Sequence, residues 1–465
     1  MTEAELPSIV VSVPHIPFPA KASYPARTGN VVRPLVDGEP AFRRIGEAIK
    51  AARHSVWLTV AFIVPGFTMP DGGGSLLDVL DGAVERGLDV RVIFWRTDPA
   101  TSGSWATFSG SAADRDELRR RRSRVRIRWD QGHGSHCQHQ KSWIVDAGRD
   151  SEVAFVGGIN LNPRAMVSPG HRGDGQIHDV YAELAGPAAS DVHHNFVQRW
   201  NEASERMAGD GVWGHRGDES LAFPTRLSRP RGSSLVQIQR TMPAGRYSDG
   251  KTSPEAAAFA IAEGERSIFE QYLLAIDAAR RTIYIENQAI PIPPIAARLE
   301  AALKRGVQVV VLVPADPEDH VRAARRQPDH QERFSQLAQL GRHERFALAG
   351  IAGRNSEGGR SPVYVHSKIM LVDDAWATIG SCNLHAHSLF GHTELNASLW
   401  DLEVVRALRC ELLGEHLESD TRQLDDAAAF CLFREVARAN RARRHAGDHG
   451  WQGLAFALDP AAYGE

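Results

Sequence analysis

Apolar positions alternate between two spacings along the chain, and this alternation predicts an α/β fold. Apolar residues recur at helical spacing over 42–52. The run 55–64 is apolar and rich in β-branched residues and ends at a Pro-Gly pair, which is typical of a buried strand. A second helical pattern covers 75–87, and a second strand pattern covers 88–95. The first half of the chain is therefore predicted to alternate strands with helices.

The second half of the chain repeats this order, which indicates an internal duplication. A helix is predicted over 267–279, where Ser267 starts a sequence with capping-box spacing, and a strand is predicted over 282–290. The segment 299–314 matches 80–95 nearly position for position. We therefore expect an α/β protein with two similar lobes, each a sheet flanked by helices.

The boundaries of the lobes are predicted from composition. Residues 1–35 are interrupted by prolines and are interpreted as an irregular lead-in, with the first lobe over 36–224. The segment 225–234 is rich in Arg, Pro, Gly and Ser, so a linker is expected over 225–250. The second lobe, with a C-terminal extension, then occupies 251–465.

One motif occurs once in each half and carries most of the candidate chemistry. Residues 139–160 and 366–383 both contain His-x-Lys-x-x-x-x-Asp, then an apolar run, a small pair and an Asn. The chain has only six lysines, and two of them belong to these motifs. The candidate catalytic residues are His139, Lys141, Asp146, His366, Lys368 and Asp373, and the candidate phosphate-binding residues are Asn160, Asn383, Gly158 and Ser381.

The spacing within the motif suits a reaction at phosphorus. Successive residues of a strand face opposite sides, so His366 and Lys368 are expected to share a face, while Asp373 points the other way. An imidazole can attack phosphorus or move a proton near neutral pH, and an ammonium group can bind the non-bridging oxygens. The glycines allow backbone and the Asn amide to approach the same oxygens. The Asp is interpreted as a supporting or structural group.

Two other interpretations of the motif histidines are weighed against this one. A lone histidine is most often a core residue with satisfied hydrogen bonds, but two complete motifs argue against that. A metal site is the second alternative, because His133, His136, Cys137 and His139 lie within seven residues. That spacing fits no standard zinc pattern and is absent from the second copy, and nearby lysines would repel a cation. No metal site is predicted.

Composition and charge describe an ordinary globular chain. Of 465 residues, 42% are hydrophobic and 24% are charged, and the net charge is −3. No global field therefore attracts nucleic acid, and no nucleic-acid partner is expected. The basic segment 115–128 could bind phosphate or an anionic membrane, but a charge run is more often a solvated helix face, which we favour.

Neither a signal peptide nor a membrane span is predicted. The N-terminal residues are acidic and their apolar run is broken by prolines, unlike a signal peptide. No stretch has the length of a membrane span, and the four cysteines lack CxxC spacing. A cytoplasmic location is the expectation.

The duplicated motif resembles the signature of the phospholipase D superfamily, which pairs two His-x-Lys-x4-Asp motifs with Gly-Gly/Ser-x-Asn. The similarity extends over about residues 40–420. Four further segments resemble parts of phospholipase D: HDVYAEL at 178–184, FVQRWN at 196–201, IENQ at 285–288 and LLGEHL at 412–417. Of these, IENQ, QRWN and GEHL favour the phospholipase D branch over the nucleases.

This resemblance implies a two-lobed fold with pseudo-twofold symmetry and one active site at the lobe interface. It implies that His139 is a nucleophile forming a phosphohistidine, and that His366 protonates the leaving alcohol and then activates water or an acceptor alcohol. The lysines and Asn160 and Asn383 would hold phosphoryl oxygens. Asp179 and Glu394, each downstream of its own motif, would orient the histidine rings. No cofactor is implied.

The resemblance favours a phosphodiesterase that hydrolyses or transphosphatidylates glycerophospholipids. The alternatives are a non-lipid phosphodiesterase or nuclease, a cardiolipin or phosphatidylserine synthase-like transferase, and a non-catalytic headgroup-binding protein. Expected partners are a phospholipid, water or an alcohol, and a membrane surface contacted peripherally. The apolar loops 63–70 and 289–294 are candidates for that contact, unless they are ordinary buried turns. Because both motifs lie in one chain, a monomer is expected.

Overall fold

The computed structural model describes residues 15–97, 108–132, 134, 136–207 and 220–465. The first lobe contains eight strands and four helices within these ranges. The strands are β1 Arg27–Val36, β2 Ser55–Val60, β3 Asp89–Trp95, β4 Arg126–Asp130, β5 Ser142–Val145, β6 Val153–Gly157, β7 Ile177–His178 and β8 Val180–Ala185. The helices are α1 Gly38–Ala51, α2 Leu76–Glu85, α3 Ala112–Arg121 and α4 Pro187–Asn201.

The second lobe has ten strands and seven helices within the described ranges. The strands are β9 Ser234–Met242, β10 Glu265–Arg266, β11 Thr282–Glu286, β12 Gln308–Leu312, β13 Phe346–Arg354, β14 Arg360–Val365, β15 Ile369–Val372, β16 Trp376–Gly380, β17 Glu394–Trp400 and β18 Ala455–Ala457. The helices are α5 Ser267–Ala278, α6 Pro293–Lys304, α7 Asp319–Arg325, α8 Gln331–Leu340, α9 Ala386–Phe390, α10 Leu402–Leu417 and α11 Asp426–His445.

The two lobes have the same sheet topology, which confirms the predicted duplication and α/β class. In the first lobe the strand order is β4-β3-β2-β5-β6-β8-β1, and in the second it is β13-β12-β11-β15-β16-β17-β9. In both, the first three strands are parallel and the remaining pairings are antiparallel. The lobes meet where β1 pairs with β9, at Arg27–Val236 and Asn30–Ser234.

The strands in the middle of each lobe's sheet are buried on both faces. Every residue of β2 and β11 is buried, as expected for strands that are covered by helices on both sides. Ser75 caps α2, because its side chain accepts from the Asp78 backbone N–H and Asp78 accepts from the Ser75 N–H in return. The strand and helix patterns of the sequence are therefore confirmed in both lobes.

The expected lead-in and linker both contain a strand, and those two expectations were wrong. Residues 27–36 form β1, although Gly29 and Pro34 weaken its pattern. Residues 234–242 form β9, a central strand between β1 and β17. β9 is not recognisable from its sequence because it contains buried polar residues. Arg240, for example, is 1% exposed and donates hydrogen bonds to Glu265 at 3.0 Å and to Gln198 at 2.7 Å. Hydrophobicity alone does not reveal a strand whose buried side chains are paired polar groups.

Helix α4 is the buried centre of the molecule. All of its residues but Asn201 are buried, and Val192, Phe196 and Trp200 belong to a core cluster that includes residues of both lobes. Ser267, by contrast, does not cap α5 as its spacing suggested. Its hydroxyl donates to Glu265 at 2.6 Å, and it is the first residue of the helix.

The two loops proposed to touch a membrane are folded against the core. Phe67 is 3% exposed and its ring centroid lies 5.0 Å from that of Phe42. Ile292 is 6% exposed and belongs to the core of the second lobe. The structure thus favours the alternative of ordinary buried turns, because neither side chain is available to a bilayer.

The basic segment forms the surface helix α3 and the strand β4. No residue of α3 is buried, and Arg119 and Arg120 pair with acidic residues three positions earlier on the helix. Arg121 reaches Asp78 and Asp81 of α2. This is the solvated, ion-paired helix face that the sequence favoured. In the described part of the chain, no helix combines the length and the apolar character that crossing a bilayer requires.

Candidate active site

The two motifs occupy equivalent positions, and each is held by the opposite lobe. His139 and Lys141 lie immediately before β5, and His366 and Lys368 lie immediately before β15. The backbone N–H of His139 donates to the Thr393 carbonyl at 3.1 Å, and that of His366 donates to the His178 carbonyl at 2.8 Å. These contacts bring both histidines to the seam between the lobes.

Each histidine ring is oriented by a carboxylate from the other lobe. Nδ1 of His139 lies 3.0 and 2.9 Å from the two carboxylate oxygens of Glu394. Nδ1 of His366 bonds to Oδ2 of Asp179. In sequence each acid follows its own motif, but in space the partners are exchanged. An acceptor at Nδ1 keeps the proton on that nitrogen and leaves the Nε2 lone pair for chemistry.

Burial keeps both rings neutral near pH 7. The pKa of His139 is held well below its ordinary value by burial, and next by the charges of Lys141 and Lys368. Burial, followed by the Lys368 charge, lowers the pKa of His366 to about 4. A neutral imidazole with a free lone pair is a nucleophile, so either ring has the protonation state needed to attack phosphorus.

The two lysines lie beneath the motif backbone. Nζ of Lys141 donates to the His139 carbonyl at 2.7 Å. Nζ of Lys368 donates to the His366 carbonyl and, at 2.9 Å, to Oε1 of Gln288, the last residue of the IENQ segment. Burial lowers the pKa of Lys141 to about 8 and that of Lys368 to about 7. Two desolvated ammonium groups near one point favour an anion there.

The two asparagines have polar atoms to spare for a ligand. Nδ2 of Asn160 lies 3.5 Å from Nε2 of His366. Oδ1 of Asn160 and Oδ1 of Asn383 are buried, and neither has a hydrogen-bond partner among the residues described. Because unpaired buried polar atoms are costly, both amides are suited to contact a bound substrate.

Gly158 and Ser381 support the carboxylates and do not offer their backbone to phosphate, contrary to the expectation. Gly158 N–H donates to Val180 O and Ser381 N–H to Leu395 O, each at 3.1 Å. The Ser381 hydroxyl donates to Oε2 of Glu394 at 2.5 Å. A Cβ at Gly158 would overlap Oδ1 of Asp179. The small pair of each motif therefore makes room for, or binds, the orienting acid.

Asp146 and Asp373 lie at the far ends of the motif strands and serve the backbone. The carboxylate of Asp146 accepts from the N–H groups of residues 53, 54 and 55, at 3.0, 2.7 and 3.3 Å. That of Asp373 accepts from residues 280, 281 and 282, at 2.8, 2.8 and 2.9 Å. Each fixes the start of the central strand, β2 or β11, so their inclusion among the catalytic residues is corrected to a structural role.

A cavity of about 340 Å³ opens between the lobes and is lined by both motif histidines, His139 and His366. Its wall includes residues that the motifs did not identify: Phe62, Trp95, Arg164, Glu318, His320 and Tyr364. Glu318 and His320 come from the polar segment at the start of α7, whose sequence gave no functional signal. The Tyr364 hydroxyl donates to Glu318 at 2.6 Å.

A second group of histidines flanks the cavity. His136 lies 5.4 and 5.5 Å from His387 and His392 between ring centroids, and His392 lies 5.9 Å from His139. Nδ1 of His392 accepts from the Cys137 N–H at 3.0 Å. His133, part of the metal alternative, lies outside the described residues. In the sequence, this part of the cavity wall is indicated only by the several histidines within 133–139 and 385–392.

Comparisons with known proteins identify relatives of the whole two-lobed unit. A family model described as "Cardiolipin synthase, PLD-like domain" matches residues 45–200 and 272–414, and one described as "Phospholipase D" matches 166–291. Cardiolipin synthase A of Pseudomonas entomophila (strain L48) is 26% identical over 420 residues, which cover 89% of this chain and 73% of that protein. Cardiolipin synthase of Listeria monocytogenes serotype 4b (strain CLIP80459) is 23% identical over 409 residues, covering 84% and 70%.

Two further similar proteins differ in how much of their own length this chain covers. Phospholipase D A of Dictyostelium discoideum is 24% identical over 477 residues, which cover 84% of this chain but 34% of that protein, so the chain spans about a third of its length. The crystal structure of phosphatidylserine synthase from Haemophilus influenzae Rd KW20 superposes with a TM-score of 0.56 at 14% identity, covering 89% of this chain and 94% of that one. That likeness shows the shared fold.

Proposed function

Since the chain belongs to the phospholipase D superfamily, in the family described as the PLD-like domain of cardiolipin synthase, we propose that it is a phosphatidyltransferase. It cleaves the phosphodiester of a glycerophospholipid and passes the phosphatidyl group to a second alcohol. The observation that carries the proposal is the pair of histidines, each oriented by the opposite lobe, on one shared cavity. Cardiolipin synthases among the relatives favour the synthase-like transferase alternative over the phospholipase D-type enzyme that the sequence favoured.

The first step forms a phosphohistidine. Nε2 of His139 attacks phosphorus, a P–N bond forms, and the P–O bond to the leaving alcohol breaks. His366 gives its proton to that oxygen. The choice of His139 as nucleophile rests on the family resemblance, because the geometry of the two rings is nearly symmetric. Lys141 and Lys368 offset the charge on the non-bridging oxygens as it develops.

Substrate binding enables His366 to take up from solvent the proton that it must give. In the free site, Lys368 contributes to the low pKa of His366. A phosphodiester anion between the two ammonium groups offsets their charge and raises the pKa of His366. In the second step His366, now neutral, accepts the proton of the acceptor hydroxyl. The new P–O bond forms, the P–N bond breaks, and His139 is regenerated.

The acceptor side of the cavity supports an alcohol rather than water alone. Tyr364 lies beside His366, with ring centroids 6.3 Å apart, and its hydroxyl is bonded to Glu318. His320 and Arg164 complete a polar wall there. Such a wall suits an acceptor with several hydroxyls, such as the glycerol of phosphatidylglycerol. Hydrolysis is the second candidate, which the match to phospholipase D A favours.

The products formed from phosphatidylglycerol vesicles test this proposal. We expect cardiolipin and free glycerol, detected by phosphorus NMR and mass spectrometry, and no product from His139→Ala or His366→Ala. His449→Ala, which changes an exposed histidine, is the matched control and retains activity. Phosphatidic acid as the main product would move the function to hydrolysis. Cleavage of bis(p-nitrophenyl) phosphate with no lipid turnover would favour a non-lipid phosphodiesterase, and no turnover at all a binding protein.

Access to lipid requires the cavity mouth to meet a membrane surface, so peripheral membrane contact is part of this proposal. Residues at the rim of the cavity make that contact in this proposal, since Phe67 and Ile292 of the two loops first considered are buried. One chain carries both motifs and both orienting acids, so we propose that a monomer is active.

A further inference from the structure

A second cluster of titratable side chains lies at the lobe junction, outside the cavity. Asp37, His171 and His178 come from the first lobe, and Glu286, Glu415 and His416 come from the second. The side chain of Glu415 is 6% exposed, and those of the other five are fully buried. None of the six contributes to the proposed reaction, and a buried group of three carboxylates requires compensating positive charge.

Four atoms of this cluster are arranged around one point. Nε2 of His171 lies 3.3 Å from Oδ2 of Asp37, 3.3 Å from Nδ1 of His178 and 3.4 Å from Oε1 of Glu415. All four donor atoms lie within 4.8 Å of one another. A tetrahedral zinc ion with ligands at about 2.0–2.1 Å separates those ligands by about 3.3–3.4 Å. The spacing around His171 Nε2 therefore matches the edges of a zinc coordination tetrahedron.

Hydrogen bonding alone does not account for this arrangement. One imidazole nitrogen carries at most one proton, yet two carboxylate oxygens, Oδ2 of Asp37 and Oε1 of Glu415, face Nε2 of His171. Oδ2 of Asp37 is fully buried and has no hydrogen-bond donor among the residues described, although it points at that nitrogen. A shared cation satisfies both atoms at once.

The surroundings of His178 are those of a metal ligand. Its Nε2 is bonded to Oε2 of Glu286 at 3.0 Å, and its Nδ1 faces the cluster, where it lies 2.8 Å from Oδ1 of Asp37. Glu286 is held in turn by the hydroxyls of Tyr284 and Ser367, at 2.7 and 2.6 Å, and by His416 at 3.1 Å. A carboxylate behind a histidine fixes its tautomer and makes the other nitrogen a better ligand.

We propose that Asp37, His171, His178 and Glu415 bind one zinc-like divalent cation that joins the two lobes. This site is separate from the histidines near the cavity. The ion has a positioning role, because the His178 carbonyl accepts the His366 N–H and the next residue, Asp179, orients the His366 ring. Three ligands precede β8 and one lies on α10, so the ion holds the second lobe against the segment of the first lobe that contains Asp179.

Zinc content and thermal stability test the proposal. The full-length protein is purified without a metal-affinity step, incubated with zinc chloride, dialysed and analysed by inductively coupled plasma mass spectrometry. We expect about one zinc per chain, and less than a tenth of that in His171→Gln and Glu415→Gln. His194→Gln is the matched control, since His194 is a buried histidine that bonds Tyr24 and the Lys251 carbonyl instead. Chelation lowers the Tm of the wild type and leaves that of His171→Gln unchanged.

Two results would overturn the site. One is a wild-type protein that retains less than a tenth of an equivalent of zinc, as expected for a metal-free network of buried ion pairs. The other is His171→Gln retaining as much zinc as the wild type, which places the ion elsewhere, such as at the cavity histidines. If both variants fail to fold, the X-ray absorption spectrum of zinc in the wild type decides. Two imidazoles and oxygen ligands support the site, and a spectrum without imidazole rejects it.

Discussion

The protonation state of single residues sets the conditions under which the active site works. Glu394 must be ionised to accept the Nδ1 proton of His139, and burial raises the pKa of Glu394 to about 7. If Glu394 is protonated it donates to Nδ1, and the ring carries its own proton on Nε2, where no lone pair is left for phosphorus. The two lysines limit activity at high pH instead, because they must be charged to bind phosphate. Their pKa values are about 8 for Lys141 and about 7 for Lys368.

We therefore expect a narrow bell-shaped pH profile. Activity falls as the pH drops through about 7, where Glu394 gains a proton, and falls again as the pH rises through the range from about 7 to 8, where Lys368 and Lys141 lose theirs. kcat/KM reports the pKa values of the free enzyme, so it is the quantity to measure, on a soluble short-chain phospholipid. Lys368→Arg, whose guanidinium stays charged, should shift the alkaline limb upward, from about 7 toward the pKa of Lys141 at about 8. A flat profile from pH 5.5 to 9 would contradict these assignments.

The motif aspartates are expected to affect stability and leave chemistry intact. Asp146→Asn retains an oxygen acceptor and the left-handed backbone at φ 55°, but weakens charge-assisted bonds to three backbone N–H groups. We predict a loss of about 1–3 kcal/mol in the free energy of unfolding, with kcat within about twofold of wild type. Urea unfolding and initial rates measure both quantities.

Asp150→Asn is the control for this change, since Asp150 is 58% exposed in its surface pair with Arg229 and should alter stability by less than about 0.5 kcal/mol. A large fall in kcat for Asp146→Asn at unchanged stability would return the aspartate to the catalytic set.

At the scale of the elements, the end of β6 sets the position of Asp179, the acid that immediately precedes β8. β6 and β8 are adjacent antiparallel strands, and Gly158 follows β6 directly beside Asp179. The Asp179 carboxylate is held by the Val180 N–H at 2.8 Å and by the His366 ring. A methyl group at residue 158 must displace this short side chain, because no flexible group can yield instead.

Gly158→Ala is therefore predicted to reduce kcat by about a hundredfold through the misplaced His366 ring. The protein should remain folded, as judged by its circular dichroism. Gly82→Ala is the matched control: it lies within α2, no atom lies within 4 Å of the added Cβ, and stability should rise by about 0.5–1 kcal/mol. Equal effects of the two substitutions on kcat would contradict the role given to Gly158.

Elements with a clear apolar period were predictable, and contacts between distant segments were not. β2 and β11 are mainly apolar and fully buried, so the sequence identified them. β9 was missed because its buried Gln and Arg side chains are satisfied by partners far along the chain. The motifs located the two histidines in the sequence. The sequence could not show which histidine ring Glu394 contacts, and only the fold shows that its partner is His139 of the other lobe.

The whole molecule is expected to behave as one cooperative unit despite its duplication. The lobes share the β1–β9 pairing, the active-site bonds cross between them, and a single core contains Phe196 and Val236 together with Phe430 of α11. Lobes joined only by a linker would unfold independently. Here neither lobe can unfold without exposing apolar surface of the other, so an intermediate with one folded lobe is unfavourable.

Differential scanning calorimetry should accordingly show one endotherm, with a calorimetric enthalpy close to the van't Hoff enthalpy. Arg240→Met tests the shared seam, because it leaves Glu265 buried without its ion pair at 3.0 Å and removes the bond to Gln198 of the other lobe. Arg240→Met should lower the free energy of unfolding by about 3–5 kcal/mol and so lower the Tm of the entire transition. Arg422→Met is the control: its side chain is 76% exposed, and its replacement should change the Tm little.

Two resolved endotherms in the wild type, or a variant in which only part of the transition moves, would mean that the lobes are separate folding units. The cross-lobe pairs at His139 and His366 would then depend on docking after folding, and the rate of regaining activity on refolding would lag behind the recovery of circular dichroism.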